Sequence, residues 1–166
     1  MPAKLTQPRE LFVHKLGVVL KSERNIEKTL PKLQKEAKSP QLSQLFEHHL
    51  QETKEHIGNL EQAFEILGEK PKENPSRVAE GLEREHRELR DEVDAALIDF
   101  VAAGAGAATE HHEIAAYETL ITMAEALGEP EVVHLLEQNF DQERHTLDEI
   151  KTISQQLAQR AGVVTA

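Results

Sequence analysis

The fold of this chain is indicated most clearly by residues 110–117, which have the sequence Glu-His-His-Glu-Ile-Ala-Ala-Tyr. At about 100° per residue, Glu110, Glu113 and Tyr117 share one face of a helix with the apolar Ile114. An apolar face is normally buried, so the two carboxylates should enter the interior with it. An ionised carboxylate in an apolar interior costs several kcal/mol unless it is paired or bound to a metal ion.

Three other segments with helical periodicity also place a glutamate on their apolar face. These are Glu23 in the first, Glu52 in the second and Glu143 in the last. His49 and His56 lie about one turn before and after Glu52. Four helices that each direct carboxylates inward predict a shared cation in the core of a helical bundle.

The composition is that of one acidic domain of 166 residues, placed at 1–166 with a core at about 8–160. The net charge of −11 and the lack of a basic or aromatic stripe exclude a nucleic-acid surface. The absence of cysteine excludes disulfides and thiolate sites. No apolar run approaches the roughly 18 residues that span a membrane, and residues 1–3 begin no signal peptide. We expect a soluble, cytoplasmic protein.

Proline and glycine residues divide the chain into helices, predicted over 8–37, 40–67 and 99–127, with a last helix from Pro130 through Leu157 that frays toward Gly162. Residues 69–75 are predicted to form a loop. Ser76 and Asp99 are the expected N-caps of a shorter third helix and of the fourth helix. The predicted fold is all-α, a four-helix bundle with an extra crossover helix between helices 2 and 3.

The carboxylates are predicted to lie at matching heights in this bundle. Counted from the turns at Ser39 and Gly128, they and His56 lie about 20 to 27 Å along their helices. His49 should lie roughly 6 to 10 Å outside that layer, which favours His56 as the imidazole ligand. The predicted metal ligands are Glu23, Glu52, His56, Glu110, Glu113 and Glu143, with His49 as the less favoured histidine.

Oxygen-rich sites with one or two imidazoles suit iron or manganese better than zinc. The di-iron bundle pattern is kept only in part, because His56 follows Glu52 at i+4 rather than i+3 and Thr146 follows Glu143 where a histidine would be usual. Glu110 is then the candidate for the missing ligand. The site is either dinuclear, with one metal held more weakly, or mononuclear. Tyr117 is predicted to hydrogen-bond a carboxylate.

Nearly the whole chain resembles the YciE/YciF group of ferritin-like proteins. The segment 110–117 is similar to that group's Glu-His-Tyr-Glu-Ile-Ala-x-Tyr motif, and Glu143 matches its final acidic cluster. Further matches are Ser22-Glu23, Leu30-Pro31-Lys32, Phe46, His49-Leu50-Gln51-Glu52-Thr53 and Gly81-Leu82. His112, His56 and Leu147 depart from the group's usual Tyr, Gln and frequent Asp. The resemblance implies a ferritin-like bundle that binds metal and is associated with stress responses.

The leading hypothesis is a ferritin-like protein with a dinuclear iron or manganese site that handles iron with dioxygen or peroxide, as a homodimer or larger homo-oligomer. Whether it is an enzyme of the di-iron oxidase, ferroxidase or peroxide-handling type stays undecided. His48-x-x-x-Glu52 suggests a hemerythrin-type sensor, but no two histidines lie four residues apart. A third hypothesis is a non-enzymatic helical stress or assembly protein whose acidic core is vestigial or salt-bridged.

Overall fold

The computed structural model describes residues 4–162, which form five α-helices, one short 3-10 helix and no strand. The helices are α1 (Pro8–Glu36), α2 (Pro40–Ile66), α3 (Arg77–Glu92), α4 (Ile98–Leu127) and α5 (Pro130–Arg160), with the 3-10 helix at Ala95–Leu97. The predicted all-α class is confirmed. None of the described helices is long and apolar enough to cross a membrane.

The helix ends follow from local sequence, with one exception. The Ser39 side chain accepts a hydrogen bond from the Leu42 N–H, and Gly128 ends α4 with a φ of 73°. Asp99 was the predicted N-cap of α4, which is wrong, because Leu97 occupies that position. The Asp99 carboxylate accepts the backbone N–H groups of Lys38 and Ser39 at 2.8 and 2.7 Å. It therefore ties the start of α4 to the turn between α1 and α2.

Four long helices pack around two buried apolar clusters, one at each end. The first joins the beginning of α1 and α5 to the end of α2 and α4, and includes Phe12, Phe64, Leu120 and Val132. The second joins the opposite ends and includes Leu30, Leu42, Ala102 and Ile150. Because the clusters place the beginnings of α1 and α5 beside the ends of α2 and α4, and each of α1 and α5 contacts α2 and α4, every neighbouring pair of long helices is antiparallel.

The third helix crosses the length of the bundle, as predicted. The preceding loop is held on α1, where Asn74 donates its backbone N–H to the Gly17 carbonyl at 3.1 Å. At the opposite end, Arg90 of α3 pairs with Glu36 at 3.1 Å. The helix packs on α4 but has no buried residue. It therefore covers the bundle from outside and contributes nothing to the two apolar clusters.

Candidate metal centre

A layer of buried ionisable side chains lies between the two apolar clusters. Its members come from all four long helices, and none is more than 7% exposed. They are the predicted residues Glu23, His49, Glu52, His56, Glu110, Glu113 and Glu143. The inward direction that periodicity predicted for each of them is confirmed, whereas metal ligation stays a prediction.

Glu23, His56 and Glu143 form the first of two groups with the geometry of a metal site. His56 Nδ1 lies 3.2 Å from Glu23 Oε1 and 3.2 Å from Glu143 Oε1. One ligand atom from each residue lies within 4.8 Å of the other two. The group joins α1, α2 and α5.

The second group consists of His49, Glu110 and Glu143. His49 Nε2 lies 3.1 Å from Glu110 Oε1 and 3.7 Å from Glu143 Oε2. This group joins α2, α4 and α5, and its ligand atoms also lie within 4.8 Å of one another. Glu143 belongs to both groups and offers one oxygen to each.

The expected position of His49, outside the carboxylate layer, is wrong. The two histidines are about 10 Å apart in helical rise, but their ring centroids are only 6.2 Å apart. The prediction compared backbone heights and neglected the reach of the side chains. The site therefore extends along the bundle axis as two adjacent groups. Backbone height therefore gives no reason to prefer His56 over His49 as the imidazole ligand.

Glu52 and Glu113 lie beside these groups. Glu52 Oε2 lies 3.2 Å from His49 Nδ1, on the opposite side of the ring from Glu110, and accepts a hydrogen bond from Thr146 Oγ1 at 3.1 Å. Glu113 Oε1 accepts a hydrogen bond from Ser22 Oγ. Glu52 is thus placed to orient an imidazole, and Glu113 has one oxygen without a partner among the described residues.

Several supporting side chains escaped the sequence argument. His56 Nε2 lies 2.7 Å from Gln142 Oε1. Asn139 Nδ2 donates to the Tyr117 hydroxyl at 3.1 Å. Asn139 and Thr146 lie one turn on either side of Glu143, so helical spacing could have indicated them. Gln142 lies next to Glu143 in sequence, and no periodic signal indicates it.

Tyr117 forms the predicted bond to a carboxylate, which is that of Glu23. Its hydroxyl donates to Glu23 Oε1 and accepts from Asn139. Both atoms of the hydroxyl are therefore used within the protein. This arrangement fixes one oxygen of Glu23 and leaves Oε2 without a hydrogen-bond partner among the described residues.

The chemistry of these donors fits a cation. Leaving a buried polar atom unpaired costs about 1–3 kcal/mol. Within residues 4–162, the cluster atoms without a hydrogen-bond partner are Glu23 Oε2, His49 Nε2, His56 Nδ1, Glu110 Oε2, Glu113 Oε2 and both Glu143 oxygens. None of the ion pairs in that range joins these carboxylates to a lysine or arginine. Their close contacts with imidazoles lack hydrogen-bond geometry, as expected of ligand atoms directed at a common point.

Three carboxyls of the layer, those of Glu143, Glu23 and Glu113, resist ionisation without a cation. Burial raises the pKa of Glu143 to about 7, and the negative charge of Glu110 adds to this. Burial also raises the pKa of Glu23, against the opposing effect of His56. Burial and the charges of Glu23 and Glu143 raise the pKa of Glu113 well above its ordinary value. A metal ion must therefore displace protons to bind here.

Both imidazoles favour the protonated form in the metal-free protein. Burial opposes the charge of His49, but the carboxylates of Glu110, Glu52 and Glu143 together outweigh it and hold the pKa of His49 well above its ordinary value. Burial opposes the charge of His56 in the same way, and Glu23 and Glu143 hold its pKa well above normal. A metal ion that bound through His49 Nε2 and His56 Nδ1 would have to replace a proton on each nitrogen.

The chain is similar to several known proteins. Residues 7–162 match the model of a family described as a domain of unknown function, DUF892. Protein YciF of Escherichia coli strain K12 is 35% identical over 144 residues, which cover 82% of this chain and 84% of that protein. The structure of YcfI from Rhodopseudomonas palustris is 33% identical with a TM-score of 0.89, and covers 92% of this chain and 98% of that one. The structure of the E. coli stress protein YciF is 28% identical with a TM-score of 0.88, and covers 93% and 99%.

Proposed function

The chain belongs to the DUF892 family, and we propose that it is a ferritin-like protein that binds two iron or manganese ions through a bridging carboxylate. The observation that carries this proposal is the position of Glu143. One of its oxygens faces His56 and the other faces His49, at 3.2 and 3.7 Å. A carboxylate shared by two groups of donors favours a dinuclear site over the mononuclear alternative.

The residues around the imidazoles prepare them as ligands. Gln142 Oε1 can accept the Nε2–H of neutral His56, which leaves the Nδ1 lone pair facing Glu23 and Glu143. The Glu52 carboxylate can accept the Nδ1–H of neutral His49, which leaves Nε2 facing the second group. Such hydrogen bonds set the tautomer and the ring direction of metal-binding histidines.

Bound iron or manganese would supply one-electron redox chemistry toward dioxygen or peroxide. Burial by the bundle excludes bulk water from the layer, since His56, Glu23 and Glu143 are all 0% exposed. We place the protein in stress response or in the handling of iron and oxygen, because the similar E. coli protein is described as a stress protein. A homodimer or larger assembly is part of this proposal.

A second candidate is a non-enzymatic helical stress or assembly protein with a vestigial acidic core. The similar YcfI is described as a proposed structural protein, which favours this candidate. The unpaired donor atoms of the layer argue against it, because a purely structural core would gain stability from apolar replacements. The content of bound metal separates the two candidates.

Metal analysis is the decisive test of the proposed function. Protein prepared without chelator should carry one to two equivalents of iron or manganese, and anaerobic titration of metal-free protein with ferrous or manganous ion should approach two. The Glu143→Gln variant should bind neither ion tightly, since both groups lose a charged donor. Glu137→Gln, on an exposed position of the same helix, should behave like the parent. A parent chain that binds neither ion at micromolar concentration would overturn the proposal.

A further inference from the structure

A cavity of about 70 Å³ lies beside the second group of donors. Its inner end is formed by His49 and Glu110, and its outer part is covered by α3 through Leu82 and His86. It connects the surface under the crossover helix with one side of the candidate metal centre.

Most of the exposed surface of this cavity is apolar, although polar side chains such as Asn25, Thr29 and Thr109 also line it. Side chains from α1, α2 and α5 contribute Ile26, Leu30, Phe46 and Ile150, and α4 contributes Gly106. A mainly apolar surface of this kind favours small apolar molecules, because water finds few hydrogen-bond partners along it. The volume is several times that occupied by one water molecule on the same scale, about 10–15 Å³.

We propose that this cavity conducts dioxygen to the group formed by His49, Glu110 and Glu143, and that dioxygen rather than hydrogen peroxide is the oxidant of the centre. This inference rests on the proposed metal-binding function. Dioxygen is small and apolar and loses little on leaving water for such a wall. Hydrogen peroxide has two donors and several lone pairs, of which a mainly apolar surface satisfies fewer than water does.

The reaction that this route serves balances with iron as the reductant. Two ferrous ions give up one electron each and become ferric. One dioxygen molecule would accept both electrons and two protons from water and become hydrogen peroxide, whose release requires a route other than this cavity. Manganese in the corresponding oxidation states has the same balance.

Gly106 keeps the cavity open. A Cβ atom at this position would lie 3.1 Å from Ile150 Cδ1 and 3.9 Å from Phe46 Cε1, both in the cavity wall. A Cβ atom at Gly104, on the same helix, would meet nothing within 4 Å. Alanine at either position gains the same helix propensity. Gly104→Ala is therefore the matched control for Gly106→Ala.

Xenon binding tests the cavity without any metal. Metal-free parent and Gly104→Ala protein should bind xenon at this position, detected by xenon NMR or in a crystal under xenon pressure. Gly106→Ala should bind it at least about fivefold more weakly, because a methyl group removes space from a small cavity. Leu82→Phe, a change on the surface helix that lines the same cavity, should also weaken xenon binding. A parent protein that takes up no xenon there would overturn the proposal.

Rapid mixing tests the route in the metal-loaded protein. Metal content is measured first for every variant, so that failure to bind iron refutes the proposed function separately from the route. Gly106→Ala and Leu82→Phe loaded with ferrous ion should react with dioxygen about tenfold more slowly than the parent and the Gly104→Ala control. Their reaction with hydrogen peroxide should be unchanged. Equal slowing with both oxidants, or no slowing with dioxygen, would overturn the proposed route.

Discussion

At the scale of single residues, Glu143 couples two sites that would otherwise be independent. Its two oxygens face different histidines, and each histidine has its own further carboxylate, Glu23 or Glu110. A change at one histidine should therefore remove one metal position, whereas a change at Glu143 affects both.

His49→Ala and His56→Ala should each lower the metal content of the saturated protein from about two equivalents to one. Each change should also weaken binding at the affected group by about tenfold or more. Anaerobic calorimetric titration with ferrous or manganous ion measures both quantities, and His145→Ala, at an exposed histidine of α5, is the control. Loss of both metals in one variant and of neither in the other would contradict the two groups. It would instead support the arrangement predicted from the sequence, a single layer with one imidazole ligand.

The metal-free protein should become less stable as the pH rises from about 6 to about 8. The folded Glu143 carboxyl has a pKa of about 7 against an ordinary 4.5, and the pKa values of His49 and His56 are also raised. For each of these groups the folded state binds more protons than the unfolded state, so its contribution is complete below the unfolded pKa and is lost as the pH passes through the folded pKa. The pKa of Glu110 is lowered, so its contribution to stability changes only at more acidic pH.

Thermal unfolding in the presence of chelator checks this sign. The melting temperature should be lower at pH 8 than at pH 6 by roughly 5 °C, and saturating metal should remove the difference. Glu143→Gln should show a weaker dependence on pH. A melting temperature that rises over this interval without metal would contradict the raised pKa values.

Helical periodicity predicted which residues lie in the buried layer, but not how their side chains are grouped. Helical spacing identifies which glutamates face inward, because burial repeats every turn. It gives no information on rotamers, which decide that His49 and His56 converge and that Glu52 stands behind His49 rather than in a group. Contacts such as that of Gln142 with His56 depend on the packing of α2 against α5.

At the scale of elements, the loop before α3 depends on a close approach to α1. A Cβ atom at Gly17 would lie 2.3 Å from the Lys72 carbonyl oxygen and 2.6 Å from Asn74 Nδ2. Glu73 of the same loop pairs with Lys21 and Arg24 of α1 at 3.0 and 2.7 Å. The absence of a side chain at Gly17 therefore allows the loop to reach its partners.

Gly17→Ala should lower the free energy of unfolding by about 1–3 kcal/mol, because the loop backbone must move away from α1. Gly58→Ala, in α2 with nothing within 4 Å of its added Cβ, should instead raise it by up to about 1 kcal/mol through helix propensity. Urea unfolding of the two variants and the parent gives these values. A gain in stability for Gly17→Ala equal to that for Gly58→Ala would show that the loop does not lie against α1 in solution.

The helices themselves were largely predictable, since Ser39, Gly128 and the prolines mark their ends locally. The bonds of Asp99 were not, because the N–H groups of Lys38 and Ser39 that it accepts belong to a turn remote in sequence. A side chain with the chemistry of an N-cap can serve a different helix from its own. Such an assignment requires the tertiary arrangement.

At the scale of the whole molecule, a charged layer interrupts what would otherwise be one continuous apolar core. The two apolar clusters stabilise the ends of the bundle, while the layer between them carries carboxyls without partners. The metal-free fold should therefore be strained at its middle.

Glu113→Leu should raise the melting temperature of the metal-free protein, because it removes a buried carboxyl from this layer. Glu143→Leu should do the same and abolish dinuclear binding. Ferrous or manganous ion should raise the melting temperature of the parent by mass action and leave that of Glu143→Leu unchanged. Thermal scans with and without metal measure these effects. Lower melting temperatures for both metal-free variants would instead identify the glutamates as structural partners.

The antiparallel pairing of the long helices also bears on the order of assembly. α1 and α2 form one hairpin and α4 and α5 form the other, and each group of donors draws on both hairpins. Neither hairpin alone holds a complete group, so metal can be captured only after the two halves have docked. A bound ion would then hold the two hairpins together, because residues of both bind it. The ion would lower the rate of unfolding far more than it would raise the rate of folding. It would therefore lengthen the lifetime of the folded chain.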